Sequence, residues 1–546
     1  MCQAIPADRE VAEIFATRSR WWSTKRRSFG LAWGDGGDRT LTHFATHAVL
    51  SENPSLLGNL LLCFALSTGD FGRYLVPVER WILSDALHCS TVYDFQCLMG
   101  LGVCFLSDMQ PRRAWMVYRN ANALLQLNGI HRSQQRSQSL DLIFWELFGA
   151  DRWVSMLIGL PYSIPDTLCY LPILPIDRSD PCTFHHRHMI LLSGRVIDCL
   201  QSPSGLSRSA IIKVDEDINR VTAQLPPNYV DMTHIAACPE PDERIARLYR
   251  VAELNQLKTL LYLPLFLQQC DPGQHQQPED PLAHYGRTAC VGSARSLLEA
   301  YLALYDIDPA AAAVDNCMKL TSFTAFSAAV VLFLNILAQA HSNTEGVADW
   351  SSVLGADMAS IYRTASAFEA SSEGRPSSLC GQCQTALTDL ISASQTLGRG
   401  ESRQIRVPYF GVVKMVRSEN RDSVTSNDQP VDTELQQSPP LFRDPVRTTI
   451  LAAGDDTELF PALTVSDDLF FSYYGPWGCD NQARHYEAEE GKAPSVLRIV
   501  RTLLVRRPGT LRYVEAPSNG RGKLPCATLF IGFLFQGRYF VQTVAS

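Results

Sequence analysis

Between Ser51 and Gly400 apolar residues recur at spacings of three and four with polar breaks between them, which predicts one amphipathic helix after another. The clearest is Leu140–Ile158. There Ile143, Phe144, Leu147, Phe148, Val154, Leu157 and Ile158 form a broad apolar stripe that Gly159 and Pro161 close. Trp115–Leu127 carries Trp115, Val117, Leu124, Leu125 and Leu127 on helical spacing and stops at Asn128-Gly129, a helix-ending pair. Val78–Cys89, Glu243–Gln269 (with Pro264 as its only breaker), Val347–Ala370 and Leu379–Leu397 read as helices too. Ala310–His341 is apolar nearly all round, which predicts a core helix. A mixed domain would show alternating strands in such a length; few segments here do. The expected fold class is therefore all-α, an irregular multi-helix array over 51–400, because no repeat of about 33 to 47 residues marks a solenoid.

The pattern changes on either side. Residues 1–50 read as a basic segment, poorly ordered, centred on Arg18–Arg27 with its two tryptophans. That cluster fits a nuclear-import signal or a phosphate-contacting arm as well as a solvated turn. From 401 to 546 the expectation is a partly disordered tail. Within it Arg403–Val416 is short and β-branched and predicts a strand pair. Ser418–Pro440 is Ser-, Asp-, Gln- and Pro-rich and predicts a linker that cannot offset its ordering entropy. Residues 427–490 hold 13 Asp or Glu against 3 Arg, interleaved with Leu459-Phe460, Leu469-Phe470-Phe471 and Trp477. That acidic-aromatic mixture is the composition of disordered activation segments. Residues 491–546 reverse sign, and Cys526–Ser546 reads either as a small β-rich element or as a mistranslated intron.

Composition narrows the class. With 546 residues, 46% hydrophobic, the chain can bury a large core. A net charge of −8 argues against coating nucleic acid or anionic membrane by overall electrostatics. The 16 cysteines are scattered singly, without a secretory leader, and read as reduced thiols. Leu56–Leu66 and Ala328–Leu337 fall short of the roughly 20 residues a bilayer span takes, so no membrane partner is expected.

Candidate chemistry is sparse. Cys380-Gly-Gln-Cys383 has ligand spacing, but a structural zinc needs about four ligands and no second pair lies nearby. Cys182, His185, His186 and His188 are denser in potential ligands and equally what a polar helix start looks like. His43 and His47 have metalloprotease spacing without the Glu base. Serine-hydrolase elbow, phosphate loop and dinucleotide fingerprints do not occur, so no catalytic residue and no enzyme is expected. Trp115, Trp145 and Trp153 sit at core-facing positions. Asp151-Arg152 lies in the middle of a buried helix, where each charge needs a partner: a neighbouring helix, or a backbone carbonyl or amide. His131-Arg132 follows Gly129 at a helix end, where cations meet the dipole favourably.

Taken together, Ala114-Trp115, Gly129-Ile130-His131-Arg132, Phe144-Trp145, Asp151-Arg152 and Gly159-x-Pro161 resemble the middle homology region of fungal zinc-cluster transcription factors. The resemblance is strongest over 111–166 and extends weakly over Ser51–Val416. Leu160, where the family often has Arg, is a minor departure. The major one is at the start: the family's DNA-reading cluster uses six cysteines within about 30 residues to hold two zinc ions. The first 62 residues here contain only Cys2. The resemblance implies a nuclear regulator of pathway-specific, metabolic or secondary-metabolite genes, with no cofactor in this chain. Implied partners are the transcription machinery or another regulator, with a homodimer, a small-molecule effector and DNA contact left open. It also implies a structural role for Ala114, Trp115, Gly129, His131, Arg132, Trp145, Asp151, Arg152, Gly159 and Pro161. Two mechanisms stand: a DNA-binding activator shortened at its N-terminus, or a cluster-less co-regulator or interaction scaffold.

Overall fold

The computed structural model describes residues 1–17, 41–84, 89–108, 110–202, 206–270, 281–307, 309, 316–342, 348–372, 379–397, 401–407, 411–417, 446–451, 530–535 and 538–543. Among these, fifteen α-helices stand against five short strands, and the protein is all-α. The helices are α1 (Asp8–Thr17), α2 (Leu41–Leu50), α3 (Pro54–Thr68), α4 (Phe71–Ser84), α5 (Val92–Ser107), α6 (Pro111–Leu127), α7 (Gln138–Ile158) and α8 (Pro181–Leu200). There follow α9 (Arg208–Thr222), α10 (Met232–Ala236), α11 (Pro241–Cys270), α12 (Pro281–Ile307), α13 (Asn316–Ser342), α14 (Ala348–Ser371) and α15 (Leu379–Thr396).

Capping fixes many of the starts. Asn53 accepts from the amides of Ser55 and Leu56 ahead of α3. Thr91 and Asp94 form a reciprocal capping box on α5, and Asp180 accepts from the Thr183 amide on α8. The long α11 continues through Pro264, which the sequence marked as a breaker. Its surroundings explain the tolerance: Tyr262, Leu263, Leu265 and Phe266 are all buried, and packing of that order outweighs a cost of about 3 kcal/mol.

Burial collects in two apolar clusters. The first is built by α1 to α7 around Phe64, Tyr74, Phe95, Leu98, Leu125, Phe144 and Phe148. The second is built mainly by α8 to α15 around Val196, Ile218, Leu261, Leu297, Tyr301, Phe326 and Phe368. Trp153 and Leu157 of α7 pack against both. The stretch Thr321–Gln339 of α13 is long and apolar enough to cross a membrane, but 83% of it is buried within the helical body, as befits a core helix.

The basic N-terminal segment differs from its expectation. Within 1–50, α1 buries Val11 and Ile14, and α2 buries Leu41, Phe44 and Ala48, all in the first cluster. These stripes run to only two or three residues, too short to stand out in the sequence yet sufficient against a neighbouring core. Arg18–Arg27 lies outside the described residues, as do Ser418–Pro440 and all of the acidic-aromatic segment except 446–451. Residues Arg403–Val416 form two strands, β1 (Ser402–Val407) and β2 (Gly411–Arg417), and β3 (Val446–Leu451) completes an antiparallel sheet ordered β1-β2-β3. Ile405 pairs with Val413, and Val413 with Ile450. Val407, Val413 and Met415 are buried in the second cluster. A separate compact unit, Pro494–Ser546, contains the hairpin β4 (Phe530–Phe535) and β5 (Arg538–Thr543), in register at Phe533 and Phe540.

Candidate functional site

The motif residues of α6 and α7 converge on one loop, 159–168. Helix α6 ends at Asn128, whose side-chain amide donates to the Leu124 carbonyl at 2.9 Å and to the Cys89 carbonyl at 3.1 Å. Gly129 then takes φ +69 with nothing within 4 Å of where a Cβ would stand, so the turn demands left-handed backbone, not space. His131 follows in a short 3-10 turn and is buried, with its carbonyl accepting from the Tyr170 amide at 2.8 Å. Burial pushes its imidazole below the usual histidine range. Arg132 is exposed.

Helix α7 starts at Ser137, which accepts from the Leu140 amide, and ends at Gly159, φ +71. Trp145 is buried edge-on to Phe144 and Phe148, and the Arg187 guanidinium lies 4.9 Å over its ring. Asp151 and Arg152 do not bond each other. Each reaches separately into the loop. The Asp151 carboxylate accepts from the Ser163 amide and hydroxyl, both at 2.7 Å. Burial raises the Asp151 pKa, only partly opposed by Ser163, Arg119 and Arg152. Arg152, 0% exposed, is sandwiched between the rings of Phe148 at 3.5 Å and Tyr162 at 4.5 Å. It donates to the Ile164 carbonyl at 3.0 Å and pairs with Asp166.

Trp115 adds a second anchor. Its indole donates to the Ser155 hydroxyl at 3.0 Å, and that hydroxyl donates to the Pro161 carbonyl at 3.3 Å. Arg119, stacked 4.1 Å over Trp115, donates to the same carbonyl. Ala114 is fully buried on α6. Trp115, Asp151, Arg152, Gly159 and Pro161 are thus brought together by the loop. Trp145 lies deeper in the core, and Gly129, His131 and Arg132 form a separate turn against 170.

The partners Arg119, Ser155, Tyr162, Ser163 and Asp166 escaped the sequence reading. Two had a usable signal: Arg119 and Ser155 lie one helical turn beyond Trp115 and Asp151. The partners of His186 on α7 and α11 escaped it as well. Glu253 accepts from Arg250 at 2.8 Å and lies 3.1 Å from His186 Nδ1, while Glu146 stands 3.6 Å from His186 Nε2. A third carboxylate, Asp141, pairs with both Arg136 and Arg187.

The potential metal ligands on α8 separate along the helix. His185 is buried, His186 faces the two glutamates, and His188 bonds the Phe184 carbonyl. Cys380 and Cys383 are both buried on α15. Among the described residues no three His, Cys, Asp or Glu side chains are grouped to hold a metal ion. The chemistry around 159–168 is that of fixation: carboxylate and guanidinium groups bind backbone and hold the loop to α6 and α7.

Comparison with known proteins points one way. The chain is 26% identical over 200 residues to transcription factor eupR of Phoma sp., a match covering 34% of this chain and 43% of that protein. It is 23% identical over 451 residues to the dehydrocurvularin biosynthesis regulator of Aspergillus terreus, covering 70% and 58%. Transcription factor sdnS of Sordaria araneosa is 22% identical over 275 residues, covering 47% and 34%. The chain thus spans about half the length of the curated relatives it matches, and those relatives carry the names of fungal transcription factors and biosynthesis regulators. No family model matches, and no solved structure does.

Proposed function

We propose that this chain acts in the nucleus as a pathway-specific regulator of secondary-metabolite genes, of the fungal zinc-cluster class, with its helical body as the regulatory platform. The names of its relatives carry the reading. The architecture is compatible with it: the loop 159–168 is pinned to α6 by Arg119 and to α7 by Asp151 and Arg152, groups engaged in holding the fold. In this reading the acidic-aromatic 427–490 contacts the transcription machinery.

A second reading is a co-regulator that works through another regulator without touching DNA. Deleting the gene and sequencing transcripts tests the first proposal: one biosynthetic gene set should fall silent. Unchanged transcripts, or nuclear exclusion of a tagged chain, would overturn it. Mobility shifts at two salt concentrations separate the two readings, since direct binding must exceed a scrambled control and weaken as salt rises.

A further inference from the structure

Helix α6 turns one face to solvent. Arg112, Met116, Ala123 and Leu127 fall within about 60° of one another around its axis, and all four are exposed. Met116, at 62%, and Leu127, at 72%, are the two most exposed large apolar side chains among the described residues. Side chains of that size left in water forgo the transfer free energy that a covering partner recovers.

The face is also electropositive. Residues 109–140 hold five arginines and no Asp or Glu. Arg113 is paired with Glu79 and Arg136 with Asp141. Arg112 at the start of α6 and Arg132 just past its end are exposed and stand in no ion pair among the described residues. Tyr170, also exposed, borders the Arg132 end, since its amide donates to the His131 carbonyl at 2.8 Å. Such a face fits a partner that sets carboxylates beside bulky apolar side chains at two places about 25 Å apart, the length of α6.

The chain itself carries that pattern twice. Asp455-Asp456-Thr457-Glu458-Leu459-Phe460 and Asp467-Asp468-Leu469-Phe470-Phe471 each put acids against Leu and Phe. Both lie outside the described residues. Phe460 and Phe471 are eleven residues apart, an extended span of up to about 36 Å, which bridges the two ends of the helix. The tether is long enough too. Strand β3 packs on α13, α13 on α5 and α5 on α6, three layers of about 10 Å each, whereas the 20 residues from Leu451 to Phe471 reach up to about 66 Å. Tethering holds the segment at an effective concentration on the order of mM, which makes weak surface contacts sufficient.

We propose that residues 455–471 dock on the exposed face of α6, their Leu and Phe side chains covering Met116 and Leu127 and their carboxylates meeting Arg112 and Arg132. The docking bears on the role proposed above for 427–490, because the same side chains are closed to other partners while docked, but it stands without that reading.

Photo-crosslinking of the full chain tests it, with benzoylphenylalanine in place of Met116 or of Leu127. Both positions are exposed, so the label leaves the core undisturbed. Adducts to 455–471 of the same chain are expected from each. Their yield should fall about fivefold in about 1 M salt, where the screening length is about 3 Å, and about fivefold in the double variant Arg112→Glu with Arg132→Glu. The same label at Ile212, exposed on α9, should give no such adduct. Adducts that join two chains or land elsewhere, no adduct at all, wild-type yield in the charge-reversed variant, or equal yield from Ile212 would overturn the docking. Adducts are read without transcription, so their absence leaves the regulator reading untouched, and unchanged transcripts leave this one untouched.

Discussion

Asp151 shows how a buried charge is tolerated. The sequence reading expects Asp151 or Arg152 to need a partner, and an adjacent pair invites the thought that each satisfies the other. They lie on one helix and diverge: Asp151 takes two donors from Ser163, while Arg152 goes to Ile164 and Asp166. Asp151→Ala should therefore cost about 2–4 kcal/mol, by leaving the Ser163 amide and hydroxyl buried without an acceptor and not by stranding Arg152. The sign of the Asp151 shift makes a sharper prediction. Its folded pKa lies above the ordinary carboxylate value because burial disfavours the anion, so ionised Asp151 works against stability at neutral pH. Asp151→Asn keeps an acceptor for Ser163 and removes that charge, and it should be near neutral or slightly stabilising. Urea unfolding at pH 7 checks both; equal losses in the two variants would sink this account. At Gly129 only the backbone matters, so Gly129→Ala should cost about 1 kcal/mol in the same assay and disturb no neighbour.

Helix α8 carries a histidine, His186, whose ionisation is set by partners on two other helices. Burial pulls His186 down and Arg250 adds to that pull, but Glu253 and Glu146 outweigh them and leave the imidazole raised to about 9. A histidine raised above its unfolded value of 6.5 stabilises fully below 6.5, and that contribution is lost as pH climbs through about 9. Glu253 runs the other way. Burial would raise it, yet Arg250 and His186 prevail and lower it to about 2, so its contribution holds above 4.5 and fades as pH falls toward 2. His186→Gln should accordingly flatten the alkaline limb of stability between pH 6.5 and 9 while leaving pH 4 to 6 parallel to wild type. Identical alkaline slopes would remove His186 as the cause. This element also marks the limit of what the sequence discloses. Helix α7 was legible because seven apolar residues recur on one face, and α6 because its Asn128-Gly129 ending is local chemistry. The His186 environment depends on Glu253, 67 residues away, and the Trp153 indole meets Gln256, 103 residues away. No spacing rule connects such positions. The loop partners Ser163 and Asp166 were hidden for a related reason: only the turn at Gly159 folds them back onto α7.

For the helical body as a whole, the question is whether two apolar clusters unfold as one. They share few residues. Trp153, Leu157 and Ile173 touch both, Trp153 bonds Gln256 at 3.3 Å, and the polar group of Glu146, His186, Arg250 and Glu253 bridges α7, α8 and α11 beside them. A seam of this kind couples strongly while it is complete, because opening it exposes Trp153 and leaves charges without partners in a partly dry setting. Residues Met1–Ala493 also fall into a single compact unit, which is the arrangement that favours one cooperative transition. Calorimetry of the full chain should show the helical body melting in one main endotherm. The double variant Trp153→Ala with Glu253→Gln removes the apolar bridge and the carboxylate that gathers His186 and Arg250, and it should split that endotherm in two. Each half should then respond separately to a core truncation of about 2–5 kcal/mol: Leu98→Ala lowering only the part built by α1 to α7, and Leu332→Ala only the part built by α8 to α15. If the double variant still melts as one transition, or if either truncation moves both halves equally, the clusters are coupled by more than this seam and the two-part description of the body fails.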